Sequence, residues 1–310
     1  MIDKRSLAAS LVELERDPES AASQRLLDEA WNSAKAHVVG VTGPPGVGKS
    51  TLCAALVAAW RRAGLTVGVI AVDPSSKASG GALLGDRVRI VHDDDGADSG
   101  VFVRSMAARE RLGGLADQTL PAMVLMRSLF DRVLIETVGV GQSETDVAGF
   151  ADTVMLCVQP GSGDSLQFMK AGIVEIPHIV VVTKADLGAA AERAKADVAG
   201  ALSLTHGSKG GAGAEWQTRT LVVSSRSGAG IDRLMAALED HRAHMAERGR
   251  LIAERRRQEE SWIGEALRQR FGRQGLARLA ALGLDATLLP DGAQPFERLR
   301  QLTTALEKAR

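Results

Sequence analysis

One run of nine residues constrains this chain more than any other feature: Gly43-Pro44-Pro45-Gly46-Val47-Gly48-Lys49-Ser50-Thr51. It fits G-x-x-x-x-G-K-[ST], a pattern whose glycines let backbone N–H groups fold closely round a phosphate. The run follows His37-Val38-Val39-Gly40-Val41-Thr42, a short β-branched stretch that reads as a strand buried on both faces. It opens a helical stretch, Ser50 to Ala63, whose positive end points at the same anion. On this reading Lys49 reaches the β and γ phosphates and the Ser50 hydroxyl holds Mg²⁺. The competing reading is a glycine-rich βα turn without a ligand. The strand before and the helix after favour the phosphate loop.

Further strand-like runs follow at Thr66 to Val72, Val101 to Val103, Arg132 to Thr137, Thr153 to Val158, His178 to Val182 and Thr220 to Val223. Helical stretches separate most of them, such as Asp117 to Phe130. Alternation of this kind predicts an α/β fold, a mostly parallel sheet flanked by helices, with ligands beyond the carboxyl ends of the strands. Residues 4 to 35 read as helix broken at Asp17-Pro18. After about residue 230 the pattern is helical and punctuated by Gly249, Gly264, Gly272 and Gly275, so one unbroken helix is not expected. The expected division is an N-terminal helical segment (1–36), a P-loop domain (37–245) and a C-terminal helical arm (246–310) that dimerises. Gly207 to Gly213 reads as a glycine-rich loop.

Composition narrows the partners. Lys+Arg and Asp+Glu both number 38, which argues against a nucleic-acid or anionic-membrane binder. The arginines of the tail interleave with glutamates, as on a solvated helix. Cys53 and Cys157 are the only cysteines, too few for a disulfide framework or a zinc site, and they suggest a reducing compartment, the cytoplasm. No apolar run reaches the roughly 18 residues of a membrane span. The six histidines do not cluster along the chain.

Which nucleotide is bound is read from Thr183-Lys184-Ala185-Asp186, which follows a predicted strand and fits [NT]-K-x-D. The Asp186 carboxylate can accept from guanine N1–H and the N2 amino group. Adenine lacks both donors and would leave a buried Asp186 unpaired. Lys184 would lay its alkyl stem along the base. Thr183 stands where Asn is commoner and keeps an oxygen but no amide. A bland alternative is a capped helix start. Ser224, Ser225 and Arg226, after the last strand, are placed to cover the other face of the base.

Between the loops lie candidate switch segments. Glu136-Thr137-Val138-Gly139 ends a strand where GTPases place D-x-x-G. Gly139 would offer its N–H to the γ-phosphate, and Glu136 would act through Mg²⁺-bound water. Asp73 and Asp86 are hard oxygen ligands suited to Mg²⁺, alongside Ser50 and Glu136. Val140, after Gly139, cannot orient water; Gln142 is the nearest residue that can. The expected catalytic set is therefore Lys49, Glu136, Gly139 and Gln142.

Five segments in order, V-D-P-S-S, S-G-G, L-G-D-R, E-T-V-G-V-G-Q-S-E and P-G-S-G-D-S-L-Q, lie between the phosphate loop and T-K-A-D. With these, the chain resembles the MeaB/ArgK family over about residues 1 to 275. The resemblance implies a P-loop GTPase of the SIMIBI class, binding GTP and GDP with Mg²⁺. It also implies a homodimer that escorts an adenosylcobalamin-dependent acyl-CoA mutase, gating cofactor loading and protecting the mutase. Asp73 and Asp86 match the family's first switch, Glu136 to Glu144 the second, and Gly161 to Gly172 a third loop that senses the mutase. Departures occur at Lys170-Ala171, where relatives have two lysines, at Pro177-His178, where they have Ala-Asp, and at Glu110, where they have glycine.

No arginine finger is assigned; Arg104, Arg109 and Arg111 are candidates, each also readable as a salt-bridge residue. Slow intrinsic hydrolysis accelerated by the partner is expected. Two rival classes are a metallochaperone GTPase, which needs Cys/His ligands near the switches, and a small-molecule kinase, which should prefer ATP. In the tail, Leu251, Ile252, Trp262, Ile263, Leu267 and Phe271 are expected to bury in a partner or in the P-loop domain.

Overall fold

The strand-forming runs assemble into one parallel sheet. The computed structural model describes residues 3–73, 100–107, 119–137, 146–161, 176–206, 216–285 and 288–309. Asp86, Gly139, Gln142, Arg109, Arg111, the 162–172 part of the third loop and the 207–213 stretch lie outside the described residues.

The strands are β1 (His37–Thr42), β2 (Val67–Asp73), β3 (Val101–Ala107), β4 (Arg132–Glu136), β5 (Thr153–Val158), β6 (Ile179–Val182) and β7 (Arg219–Val222). Their order in the sheet is β3-β2-β4-β1-β5-β6-β7, and each pairing is parallel. The sequence placed most of these within a residue; β3 instead runs on to Ala107, because it pairs with β2 along its whole length. Every residue of β1 and β5 is buried, as their β-branched composition requires. Strand order reverses at β1, between β4 and β5. A loop leaving β1 therefore opens into the crevice where such sheets bind ligands.

Eight α-helices are described: α1 (Lys4–Arg16), α2 (Ala21–Asn32), α3 (Lys49–Arg62), α4 (Thr119–Leu129), α5 (Ala189–His206), α6 (Ile231–Ala246), α7 (Arg250–Ala281) and α8 (Pro295–Lys308). Alternation along β1 splits the core. Val38 faces Leu7, Leu11, Leu27, Met123 and Met126 of α1, α2 and α4. Val39 and Val41 face Leu52, Leu56, Trp60, Leu234 and Leu238 of α3 and α6. The break at Asp17-Pro18 is real: Asp17 ends α1 and the Ser20 hydroxyl caps α2, accepting from Ser23 N at 3.1 Å.

The tail behaves differently from expectation in one respect. Ile263 and Leu267 are buried, but against Leu302 and Leu306 of α8, within the helical arm itself. Trp262 meets Phe296 edge to face at 5.4 Å, and Ile252 is 75% exposed. Gly249 (φ 71°) separates α6 from α7, and Gly272 (φ 67°, ψ −173°) interrupts α7, whereas Gly264 and Gly275 stay helical. The tail docks through Phe296, which joins the Val38 core with Trp262 packed against it, and through polar contacts. Arg255 Nε and Nη2 donate to the two carboxylate oxygens of Asp152 at 2.8 and 2.7 Å, and Nη2 also to Ala36 O at 2.8 Å. Gln258 Nε2 donates to Ala148 O and Ala151 O, both at 2.9 Å. Trp31 Nε1 donates to Glu259 Oε1 at 2.7 Å.

A second correction concerns the histidines. Separated in sequence, His37, His178, His241 and His244 gather at the amino ends of β1, β5 and β6. The Thr153 hydroxyl sits 2.7 Å from both His37 Nε2 and His241 Nδ1. The His178 and His241 rings lie 4.2 Å apart and tilted at 33°, and Trp216 meets His241 edge to face at 4.6 Å. Parallel strands bring the starts of β1, β5 and β6 together, and α6 packs His241 and His244 beside them. Among the described residues, no group of three or more His, Cys, Asp or Glu side chains is arranged to hold a metal ion.

Candidate functional site

The phosphate loop leaves β1 at Thr42 and enters α3 at Lys49. Gly43, Gly46 and Gly48 take φ of 136°, 74° and 99°, the left-handed side that side chains resist. At Gly43 space adds to the demand: a Cβ there would stand 2.3 Å from the carbonyl oxygen of Cys157 on β5. Pro44 and Pro45 stiffen the turn. Val47 is buried and anchors the loop in the core. Gly48 caps α3 without any side-chain bond, so the first-turn N–H groups face the loop's concavity. Lys49 Nζ donates to Gly43 O at 2.7 Å and Pro44 O at 3.1 Å, spanning the loop it is expected to serve. Thr51 follows in the first turn and is exposed.

Ser50 Oγ donates to Glu136 Oε1 at 2.6 Å, joining α3 to the end of β4. A hydroxyl and a carboxylate side by side are the hard oxygens that Mg²⁺ takes, so these residues fit the metal. Asp73 closes β2 with its backbone on the same side of the sheet; its side chain is outside the described structure. Arg104 is committed elsewhere: it pairs with Glu15 of α1 at 2.5 Å. Cys157, beneath the loop, is buried, which pushes its thiol up to about 12 and leaves it unreactive.

The base-reading segment lies beside this loop. Thr183 is buried, and its hydroxyl reaches Val47 O at 2.8 Å and Val158 O at 3.1 Å, its single proton shared between them. A hydroxyl thus does the joining for which the commoner Asn has an amide. Lys184 Nζ donates to Gly46 O at 3.4 Å and to Gln159 Oε1. Gln159 stands outside both motifs, and nothing local in the sequence ties the end of β5 to the loop after β6.

Asp186 Oδ1 accepts from the Ser224 hydroxyl at 2.7 Å. That bond, with Asp186's own backbone N–H next, holds its carboxyl below the usual range. Asp186 is exposed, so the expectation of a buried carboxylate is corrected: only a bound base would cover it. Ser224 is buried and turned toward Asp186, while Ser225 is half-buried and Arg226 exposed on the same turn. Ala185 N donates to Val223 O at 3.1 Å, lacing the two loops together.

A seven-stranded parallel sheet with this loop at its switch point and a T-K-A-D segment seated against it defines a P-loop GTPase. Comparison with known proteins agrees. The family profile "Methylmalonyl Co-A mutase-associated GTPase MeaB" matches residues 6–278, and the chain belongs to that family. It is similar to a Pyrococcus horikoshii protein named as a GTPase, 42% identical over 82% of this chain and 78% of that one. It is also similar to the mouse mitochondrial methylmalonic aciduria type A homolog, 37% identical over 74% of this chain and 55% of that protein. Among solved structures, one described as an LAO/AO transport system kinase superposes with a TM-score of 0.64 at 28% identity, covering 98% of this chain and 94% of the other. The motif resemblance and the expected fold class are thereby confirmed.

Proposed function

We propose that this GTPase binds GTP and GDP with Mg²⁺ and serves an adenosylcobalamin-dependent acyl-CoA mutase, gating cofactor loading and protecting the mutase, as a cytoplasmic homodimer. The observation that carries the nucleotide half is the bond from Thr183 to Val47. It makes the phosphate-binding and base-reading segments one unit, so a single ligand with a phosphate end and a guanine edge fits both. The family's description and the mouse relative's name support the mutase half.

In this reading Ser50 and Glu136 hold Mg²⁺ or its water, with Asp73 and Asp86 completing the shell. Bound there, Mg²⁺ supplies charge neutralisation as the γ-phosphoryl group transfers. Lys49 and the first turn of α3 add fixed positive charge at the β and γ oxygens. Gly139 offers its N–H to the γ-phosphate. Gln142 stands two positions beyond where a water-orienting residue is needed and can serve only if the segment rearranges, so hydrolysis is slow until the partner acts.

The test is direct. Purified protein should turn over GTP slowly and ATP far more slowly. Lys49→Ala should lower kcat by about a hundredfold or more. Immobilised protein should retain a cobalamin-dependent mutase differently with GDP and with a non-hydrolysable GTP analogue. Equal use of ATP would sink the nucleotide half. No mutase retained in either state, or turnover unchanged by the mutase, would sink the partner half.

A further inference from the structure

Lys184 stands at φ 56°, ψ 46°, a left-handed conformation that glycine or asparagine adopts at less cost. A lysine at such a position carries a backbone cost that only its side chain can offset. That side chain is exposed, and an exposed lysine stem is ordinarily free to rotate. Here it is stretched across the gap between two loops. Its ammonium group donates to Gly46 O inside the phosphate loop and to Gln159 Oε1 just past the end of β5. The contact to Gly46 is long at 3.4 Å, so the Gln159 amide oxygen is the stronger anchor.

We infer that Gln159 is a positioning residue for nucleotide retention: it acts through Lys184, holding the lysine stem in the line along which the guanine base lies. The physical reason is preorganisation. A stem already extended toward the phosphate loop loses little further freedom when a base settles on it, and the saving appears as slower release. Gln159 suits the task because its amide oxygen accepts from the ammonium without cancelling its charge. It belongs to a different strand end from the base-reading motif, so its role follows only from the fold. The inference rests on the guanine reading of the 183–186 segment.

The experiment measures release of a fluorescent GDP analogue from the full chain. Gln159→Ala should speed release about three- to tenfold, the range expected for losing one hydrogen bond to a charged, partly solvated group. Gln159→Glu keeps an acceptor and should release more slowly than Gln159→Ala. The double variant Lys184→Ala/Gln159→Ala should release no faster than Lys184→Ala alone, since Gln159 then has no lysine stem to hold. A Gln159→Ala rate within about twofold of wild type would overturn the inference, as would an equal acceleration on the Lys184→Ala background. Failure of the wild type to prefer GDP over ADP would instead overturn the guanine reading beneath it.

Discussion

Asp186 is an exposed carboxylate, and its proposed selectivity for guanine starts from how it is held. The Ser224 hydroxyl fixes one oxygen, which orients the group before a base arrives. Replacing Asp186 by Asn exchanges an acceptor for a donor where guanine also presents donors. Guanine-nucleotide affinity should fall at least about a hundredfold, and xanthine nucleotides, which carry an oxygen in place of the amino group, should gain. Calorimetric titration with GDP and with the xanthine analogue checks both. Much of this site was legible in the sequence, since Gly43 to Thr51 and Thr183 to Asp186 sit in contiguous motifs. The partners that set their geometry were not. Cys157 O crowding Gly43, Val47 O receiving Thr183 and Gln159 receiving Lys184 all come from other segments.

At the scale of elements, the docking of α7 is the feature with most at stake. Asp152 is buried, and burial alone would raise its pKa. The Arg255 hydrogen bonds and charge, with His37 and Val38 N, outweigh that and lower it. Arg255→Ala would strand this carboxylate and should destabilise the protein by about 3–5 kcal/mol. Adding Asp152→Asn should restore part of the loss. Urea unfolding of both variants beside the wild type measures it, and equal losses in the single and double variants would refute the pairing argument. Trp262 has its own partner in Phe296. A charge there should therefore lower the melting temperature, read by a thermal melt. Helix breaks at Asp17-Pro18 and Gly249 were legible because proline and glycine act locally. The fold-back of α8 was not, because amphipathic periodicity shows that a face will be buried but not against what.

For the molecule as a whole, the histidine cluster predicts acid sensitivity. Burial pulls His37 and His178 down to about 4 and His241 to about 2, so all three are neutral in the native state. In the unfolded chain they titrate near 6.5. The unfolded state therefore binds more protons below that pH. Stability is intact above about pH 6.5 and falls as pH drops toward about 4, by up to about 1.4 kcal/mol per pH unit for each histidine. Asp146 works in the opposite sense: burial, with Glu265 nearby, raises it to about 6, so the folded form takes up its proton first and offsets part of the loss. Urea midpoints near pH 7, 5.5 and 4.5 should decline, and His241→Asn should flatten the decline. A midpoint constant across that range would refute the buried neutral cluster. By itself the sequence determined the strand–helix alternation, the phosphate loop and the base-reading residues, because hydrophobic period and glycine conformation act within a few residues of chain. Tertiary structure alone decided how the loops lock together, where the tail lies and which histidines meet. Those contacts join segments that are distant in the chain and neighbours only where parallel strands share an end.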